Sequence, residues 1–170
     1  MITFSLTSSI DAPIAVVFDV LTDFEGMPRF MSQIRETVMP PRSKLRPGMR
    51  FQQRRNFLGY EFTSRYRVVE VGRPGRLAVE TKAKGVRASL SWQLADNGPR
   101  TEVETFVALN PQSAAARAVL LLGFGVKRNL ERRAQLELDE LKAECERRVA
   151  ALRPARAAAS PDRFERRVGT

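Results

Sequence analysis

The side chains that could do chemistry in this sequence are arginine, tyrosine, serine and threonine, because the chain has no histidine and a single cysteine, Cys145. This composition excludes disulfides, the usual histidine and cysteine metal sites, and every catalytic dyad or triad that depends on imidazole. The candidates expected to face inward are Arg55, Ser64, Tyr66 and Thr105, and no inward carboxylate pair accompanies them. We therefore assign no catalytic residue, no metal and no cofactor.

A predicted hairpin places three of these four residues on one surface. The letters "FLGY" read as a two-residue turn, which fixes the pairs on either side of it. These pairs are Phe57 with Tyr60, Arg55 with Phe62, Gln53 with Ser64, and Phe51 with Tyr66. Since side chains alternate along a strand, all eight share one side of the sheet, and their apolar area makes that side the concave one. The convex side collects Arg50, Gln52, Arg54, Thr63, Arg65 and Arg67.

An inward Arg55 requires a partner, because an unpaired guanidinium is costly in an apolar interior. The sequence leaves three arrangements open for it. Arg55 contacts a ligand, or it pairs with an internal acid, or it lies at a strand end that is open to water.

Further apolar faces come from the strand around Trp92 and from the strand around Thr105. An apolar lining with a few convergent polar groups is typical of a small-molecule site, although the same residues could simply fill a core. The run 114–126 is too short to span a membrane, which takes roughly 20 apolar residues, and it fits a cavity wall. The predicted ligand-binding residues are Phe51, Gln53, Arg55, Phe57, Phe62, Ser64, Tyr66, Trp92, Thr105, Leu120 and Phe124.

The elements that must position these residues follow from the periodicity of the chain. A strand at 2–10 precedes a helix with Asp11 as its expected N-cap and Pro13 in its first turn. A short second helix follows in "FEGMPRFM". Turn residues then separate six strands near 34–39, 48–57, 60–71, 76–82, 86–95 and 101–109.

A long amphipathic helix is predicted after Pro111, reaching about Leu152 and ended by Pro154. Gly123 and Gly125 would permit it to bend. Its apolar stripe is Leu130, Ala134, Leu138, Leu141, Cys145 and Val149. The stripe predicts a buried, inert thiol at Cys145. The other sides of the helix hold Glu131, Arg132, Glu137, Glu140, Glu144 and Arg148. Residues 1–152 are thus predicted to form one domain, and 153–170 a disordered basic tail.

Four stretches carry a resemblance to a known family. They are "SSIDAPIAVVFDVLTDFEGMPRF", "YRVVEVGRPGRLAVET", "LSWQLADNGPRTEVE" and "LERRAQLELDELKAECERR". In this order the chain resembles the SRPBCC superfamily of START-like and Bet v 1-like helix-grip proteins, especially its polyketide cyclase/dehydrase-like branch. The resemblance implies an α+β fold in which a seven-stranded antiparallel sheet wraps around a long C-terminal helix, with two short helices after the first strand. It also implies an apolar cavity for lipids, polyketides or other hydrophobic molecules.

Charge offers a competing function. The net charge is +10, 24 of the 29 basic residues are arginine, and residues 29–67 hold ten basic and two acidic side chains. Such a surface would suit RNA or an acidic partner, but the convex face lacks the aromatic platform of single-strand binders, so nucleic acid is not favoured. The N-terminus does not read as a signal peptide, which together with the single cysteine predicts a cytoplasmic location.

The sequence therefore predicts an intracellular protein that binds or carries a hydrophobic small molecule. A cyclase- or dehydratase-type enzyme acting on a polyketide-like substrate is the first alternative, although the residues do not favour an enzyme. An RNA- or ribosome-associated protein is the second alternative. The ligand and the oligomeric state are not fixed by the sequence.

Overall fold

The structure, a computed structural model, describes residues 1–42, 44–57, 59–83, 85–122 and 125–158. Within these ranges the side chains of residues 57, 83, 119–122 and 153–158 are outside the description. The strands are β1 (Ile2–Ile10), β2 (Ile34–Val38), β3 (Arg50–Phe57), β4 (Tyr60–Gly72), β5 (Arg76–Ala83), β6 (Val86–Asn97) and β7 (Arg100–Pro111). The helices are α1 (Ile14–Thr22), α2 (Ala114–Leu122) and α3 (Val126–Ala158), with a 3-10 turn at Met27–Arg29.

The seven strands form one antiparallel sheet in the order β1-β7-β6-β5-β4-β3-β2. Strands β2 to β7 follow each other as a meander, and β1 joins the free edge of β7. The sheet curves around α3, whose Leu138, Leu141 and Cys145 are buried in the core. This architecture confirms the predicted helix-grip fold.

The register of the β3–β4 hairpin is the predicted one. Phe57 pairs with Tyr60, Arg55 with Phe62, Gln53 with Ser64, and Phe51 with Tyr66. The predicted convex residues Arg50, Gln52, Arg54, Thr63, Arg65 and Arg67 are all exposed. The hairpin therefore turns its aromatic side toward the core, because that side offers most of the apolar area to be removed from water.

The segment after β1 differs in detail from its prediction. Helix α1 begins at Ile14 with Pro13 as its N-cap and no side-chain cap, so Asp11 is not the capping residue. The Asp11 carboxylate instead pairs with Arg100, Oδ1 to Nε at 2.6 Å. The predicted second helix is the single 3-10 turn at Met27–Arg29, since Gly26 and Pro28 leave too few regular residues for an α-helix.

The predicted long helix is divided into two. Gly125, with φ of +90°, separates α2 from α3, and this left-handed conformation is one that glycine adopts without steric cost. At the other end, α3 runs through Pro154 to Ala158, beyond the predicted end at about Leu152. The remainder of the predicted tail, 159–170, lies outside the described residues, and its disorder stays a prediction.

Candidate functional site

A cavity of about 70 Å³ lies between the concave face of the sheet and α3. Its apolar wall comes from four parts of the fold: the α1–β2 segment, the central strands, β7 and α3. These residues are Leu21, Phe24, Met27, Met31, Ile34, Phe51, Val79, Leu90, Trp92, Val107, Ala134, Leu138 and Leu141. Five polar side chains complete the described lining, namely Gln53, Arg55, Tyr66, Thr105 and Glu137.

An aromatic stack forms one wall of the cavity. The ring of Phe51 lies between Phe24, at a centroid distance of 4.3 Å, and Tyr66, at 5.1 Å, with interplanar angles of 16° and 12°. Phe51 and Tyr66 are opposite each other in the β3–β4 register, while Phe24 follows α1. The stack therefore packs the segment that follows α1 against the β3–β4 hairpin.

Arg55 is paired with an internal acid. Its Nη2 atom donates to Oε1 of Glu137 on α3, and its Nη1 atom donates to the Tyr66 hydroxyl at 3.1 Å. A longer contact, 3.4 Å, joins Nη1 to Oε1 of Gln53. The sequence left three arrangements open for Arg55, and the structure shows the one in which it pairs with an internal acid.

The charges of this pair are stabilised by each other. Burial disfavours the charged guanidinium of Arg55, but the attraction of Glu137, with a smaller contribution from Tyr66, outweighs it and raises the pKa of Arg55 above its ordinary value. The two side chains keep only 15% and 22% of their exposure. Arg55 is thus a fixed cation in the cavity wall, with Glu137 as its counter-ion.

Thr105 lines the cavity and has a buried hydroxyl group. The residue is 6% exposed, and its Oγ1 atom forms no hydrogen bond with any described residue. It lies on β7, four strands from β3, between Leu6 of β1 and Trp92 of β6. A buried hydroxyl costs free energy unless it finds a partner, so this atom is suited to a ligand oxygen.

The predicted ligand-binding residues fall into three groups. Six of them line the cavity: Phe51, Gln53, Arg55, Tyr66, Trp92 and Thr105. Phe62 and Ser64 share the concave face but are not part of the described lining. Phe124 lies outside the described residues, as do the side chains of Phe57 and Leu120.

Glu137 lines the cavity although the sequence did not predict it there, because a glutamate is expected on the polar sides of a helix. It follows Ala134 by three positions and precedes Leu141 by four, which places it at the edge of the apolar stripe. The need of Arg55 for an anion was the signal that could have identified it. The cavity wall formed by Leu21, Phe24 and the residues up to Ile34 was also missed, since local sequence does not say against which surface a short segment packs.

Other groups in the described chain are less suited to chemistry. Cys145 is fully buried as predicted, and burial raises its pKa to about 12, so little of the reactive thiolate forms at neutral pH. No cluster of three or more histidine, cysteine or acidic side chains that could hold a metal occurs among the described residues. No helix in the described part of the chain is both long and apolar enough to cross a membrane.

The fold and the cavity together define a helix-grip protein of the START-like and Bet v 1-like class. A model of the family described as polyketide cyclase/dehydrase and lipid transport matches residues 1–146, and the chain belongs to this family. A search of curated proteins found no significant match.

Several solved structures share the fold of this chain. The Zhui aromatase/cyclase from Streptomyces sp. R1128 is 19% identical, with a TM-score of 0.73, over 87% of this chain and 95% of that one. A START superfamily protein from Mycobacterium smegmatis is 14% identical, with a TM-score of 0.71, over 85% and 97%. The two-domain aromatase/cyclase StfQ of the steffimycin biosynthetic pathway is 15% identical, with a TM-score of 0.70, over 87% and 51%. At these identities the likeness concerns the fold alone.

Proposed function

We propose that the protein binds a hydrophobic small molecule, lipid-like or polyketide-like, in the cavity between the sheet and α3. The observation that carries this proposal is the lining itself, where thirteen apolar side chains surround five convergent polar ones. Ligand sites are built in this way, with apolar area for affinity and a few polar groups for orientation. The family to which the chain belongs includes lipid transport in its description, which agrees with this function.

Binding a molecule of this kind requires the cavity to widen. Its volume is about 70 Å³, whereas drug-sized ligands occupy sites of roughly 300–1,000 Å³. Met27 and Met31 line the cavity, and methionine side chains are unbranched and change rotamer easily. Their movement would enlarge the cavity while the strands keep their register.

Trp92 makes the proposal directly testable. It is the only tryptophan of the chain, and it lines the cavity, so its fluorescence reports what enters. We expect a saturable change of Trp92 emission on titration with an apolar ligand such as a long-chain methyl ketone. Mass spectrometry of the gently purified protein would identify a ligand that is retained from the cell.

Two variants on α3 provide the control. Ala134→Phe fills the cavity and is expected to abolish the fluorescence change, while Leu136→Phe adds a ring at a position that is 44% exposed and leaves the titration intact. Equal titrations for both variants would contradict binding in this cavity.

A second candidate function is that of a cyclase- or dehydratase-type enzyme, and the pairing of Arg55 with Tyr66 favours it. Dehydration of a β-hydroxy ketone removes a proton from the carbon beside the carbonyl and expels the hydroxyl group as water. The Glu137 carboxylate would accept the proton from that carbon, and Arg55 would stabilise the developing enolate oxygen. The Tyr66 hydroxyl would donate the proton with which the leaving hydroxyl departs as water, and the proton held by Glu137 would then return to the Tyr66 oxygen.

This candidate is tested by incubating the protein with a β-hydroxy ketone of the same chain length and measuring the dehydrated product. Tyr66→Phe is expected to abolish turnover while the Trp92 titration persists. Saturable binding without any product in the wild-type protein would favour the carrier function over the enzyme.

A further inference from the structure

We infer that the ligand is uncharged and carries a carbonyl or hydroxyl oxygen, and that Glu137 excludes carboxylates from the cavity. This inference rests on the proposed binding function, whose ligand class it narrows. It starts from the charges of the described lining, where Arg55 is the one cation and Glu137 the one acid.

An acidic ligand at Arg55 would meet a second negative charge. A carboxylate that approached Arg55 would lie beside Glu137, because Glu137 already contacts the guanidinium through Nη2. Two carboxylates that share one site in a poorly hydrated interior repel each other, and one of them must take up a proton or leave. Arg55 alone would attract an anion, but the pair Arg55–Glu137 does not.

A neutral ligand would find hydrogen-bond donors in the same lining. The Tyr66 oxygen accepts a hydrogen bond from Arg55 Nη1 at 3.1 Å, and no described residue accepts a hydrogen bond from the Tyr66 O–H group. That group is therefore free to donate to a carbonyl or hydroxyl oxygen. A second such contact would come from the Thr105 hydroxyl on β7, which has no hydrogen-bond partner among the described residues and would become reachable as the cavity widens.

The positions of these two donors indicate where the ligand carries its oxygens. Tyr66 lies on β4 and Thr105 on β7, with Val79, Leu90 and Trp92 forming the apolar wall of the strands between and beside them. A molecule with an apolar body and neutral oxygens satisfies both donors without adding charge. A fatty acid satisfies them only at the cost of a buried negative charge beside Glu137.

The test compares two probes of equal chain length, a fatty acid and the corresponding methyl ketone, by titration of Trp92 fluorescence at pH 7.5. The wild-type protein is expected to bind the ketone at least tenfold more tightly. In Glu137→Gln the guanidinium of Arg55 loses its counter-ion, and the preference is expected to shift by at least tenfold toward the fatty acid. Asp139→Asn removes the same charge from an exposed position on α3 and should leave the wild-type preference unchanged.

The outcomes separate this inference from the function on which it rests. Equal affinities of both probes for the wild-type protein, or an unchanged preference in Glu137→Gln, would overturn the inference and leave the binding function intact. If neither probe changes Trp92 emission in any variant, the binding function itself is wrong. If Glu137→Gln is poorly folded, the test is made by thermal unfolding of this variant. The fatty acid should raise the thermal midpoint of the variant, because its carboxylate replaces the missing counter-ion of Arg55, and the ketone should not.

Discussion

Arg54 and Arg55 are neighbours on β3, yet they belong to different regions of the molecule. Arg55 points to the concave side, where it is 15% exposed and pairs with Glu137. Arg54 points to the convex side, where it is 52% exposed and its Nη2 lies 3.5 Å from Oε2 of Glu36. Burial, and not the distance between charges, decides how much each ion pair contributes to the stability of the fold. A buried charge depends on its partner, whereas an exposed charge is solvated by water.

The rest of the hairpin follows the same division. On the concave side Phe51 and Tyr66 face each other and stack, whereas on the convex side Arg50 faces Arg67. Two like charges directly opposite on adjacent strands are unfavourable, and the ion pair of Arg67 with Glu80 relieves this only in part. The concave side is therefore built for packing, while the convex side tolerates charges that contribute little to stability.

The largest difference between the two sides is expected from Phe51. Phe51→Ala removes a ring that is 4% exposed and stacked on both faces. It should lower the free energy of unfolding by about 3–5 kcal/mol. Gln52→Ala, on the next residue and on the exposed side, should change it by less than about 0.5 kcal/mol. Urea unfolding of both variants measures this, and similar losses would contradict the assignment of the two faces.

Arg55→Met should have the next largest effect, because it leaves the Glu137 carboxylate unpaired in the cavity. We expect a loss of about 3 kcal/mol, near the lower end for a broken buried pair since both side chains keep some exposure. Arg54→Met is the matched control, with an expected loss below about 1 kcal/mol. The double variant Arg55→Met/Glu137→Met should recover most of the loss, and a double variant as unstable as the single one would contradict the role of the pair.

Glu144 is a buried residue with one exposed partner, Arg147, which is 68% exposed. Glu144 itself is 7% exposed, but it accepts hydrogen bonds from Arg147 and Arg148 at the edge of α3. The hydrogen bonds from Arg147, opposed by burial and assisted by Arg148, lower the pKa of Glu144 from 4.5 to about 2. Arg148 also donates to Asp23 at 2.8 Å and so links α3 to the end of α1.

A lowered pKa in the folded state makes this cluster sensitive to acid. Its contribution to stability is complete above pH 5, where Glu144 is ionised in both states, and is lost as the pH falls toward 2. Glu144→Gln should cost about 2 kcal/mol at pH 6, after allowance for the screening of the exposed Arg147. At pH 3 the difference from the wild-type protein should fall by a little more than half, because Glu144 is still mostly ionised in the folded state one unit above its pKa. Urea unfolding at the two pH values measures it, and a difference that is the same at both would contradict the role of Glu144.

The smallest effect on ligand binding is expected from the convex arginines. Neutralising Arg50, Arg54, Arg65 and Arg67 together should leave the Trp92 titration with a methyl ketone unchanged, because these side chains point away from the cavity. Loss of binding in a folded quadruple variant would show that the convex side takes part in the site.

The sequence allowed the hairpin to be predicted residue by residue, since a two-residue turn predicted between Phe57 and Tyr60 fixes the pairing and alternation then assigns each face. Four polar residues of the cavity followed from that register and from the strand pattern. Glu137 did not, because residue type places a glutamate on the polar side of a helix unless a tertiary partner is known. The division of the helix at Gly125 was also missed, as glycine is compatible with a bend and with a complete break.

The position of β1 in the sheet has a consequence for synthesis of the protein. Strands β2 to β7 pair with neighbours in sequence as each hairpin emerges, but β1 pairs only with β7, so Ile2 meets Leu109 after 107 further residues. At about 5–20 residues per second, β1 waits roughly 5–20 s on the ribosome for its partner. During that time Phe4 and Ile10, which end up buried, remain accessible to chaperones.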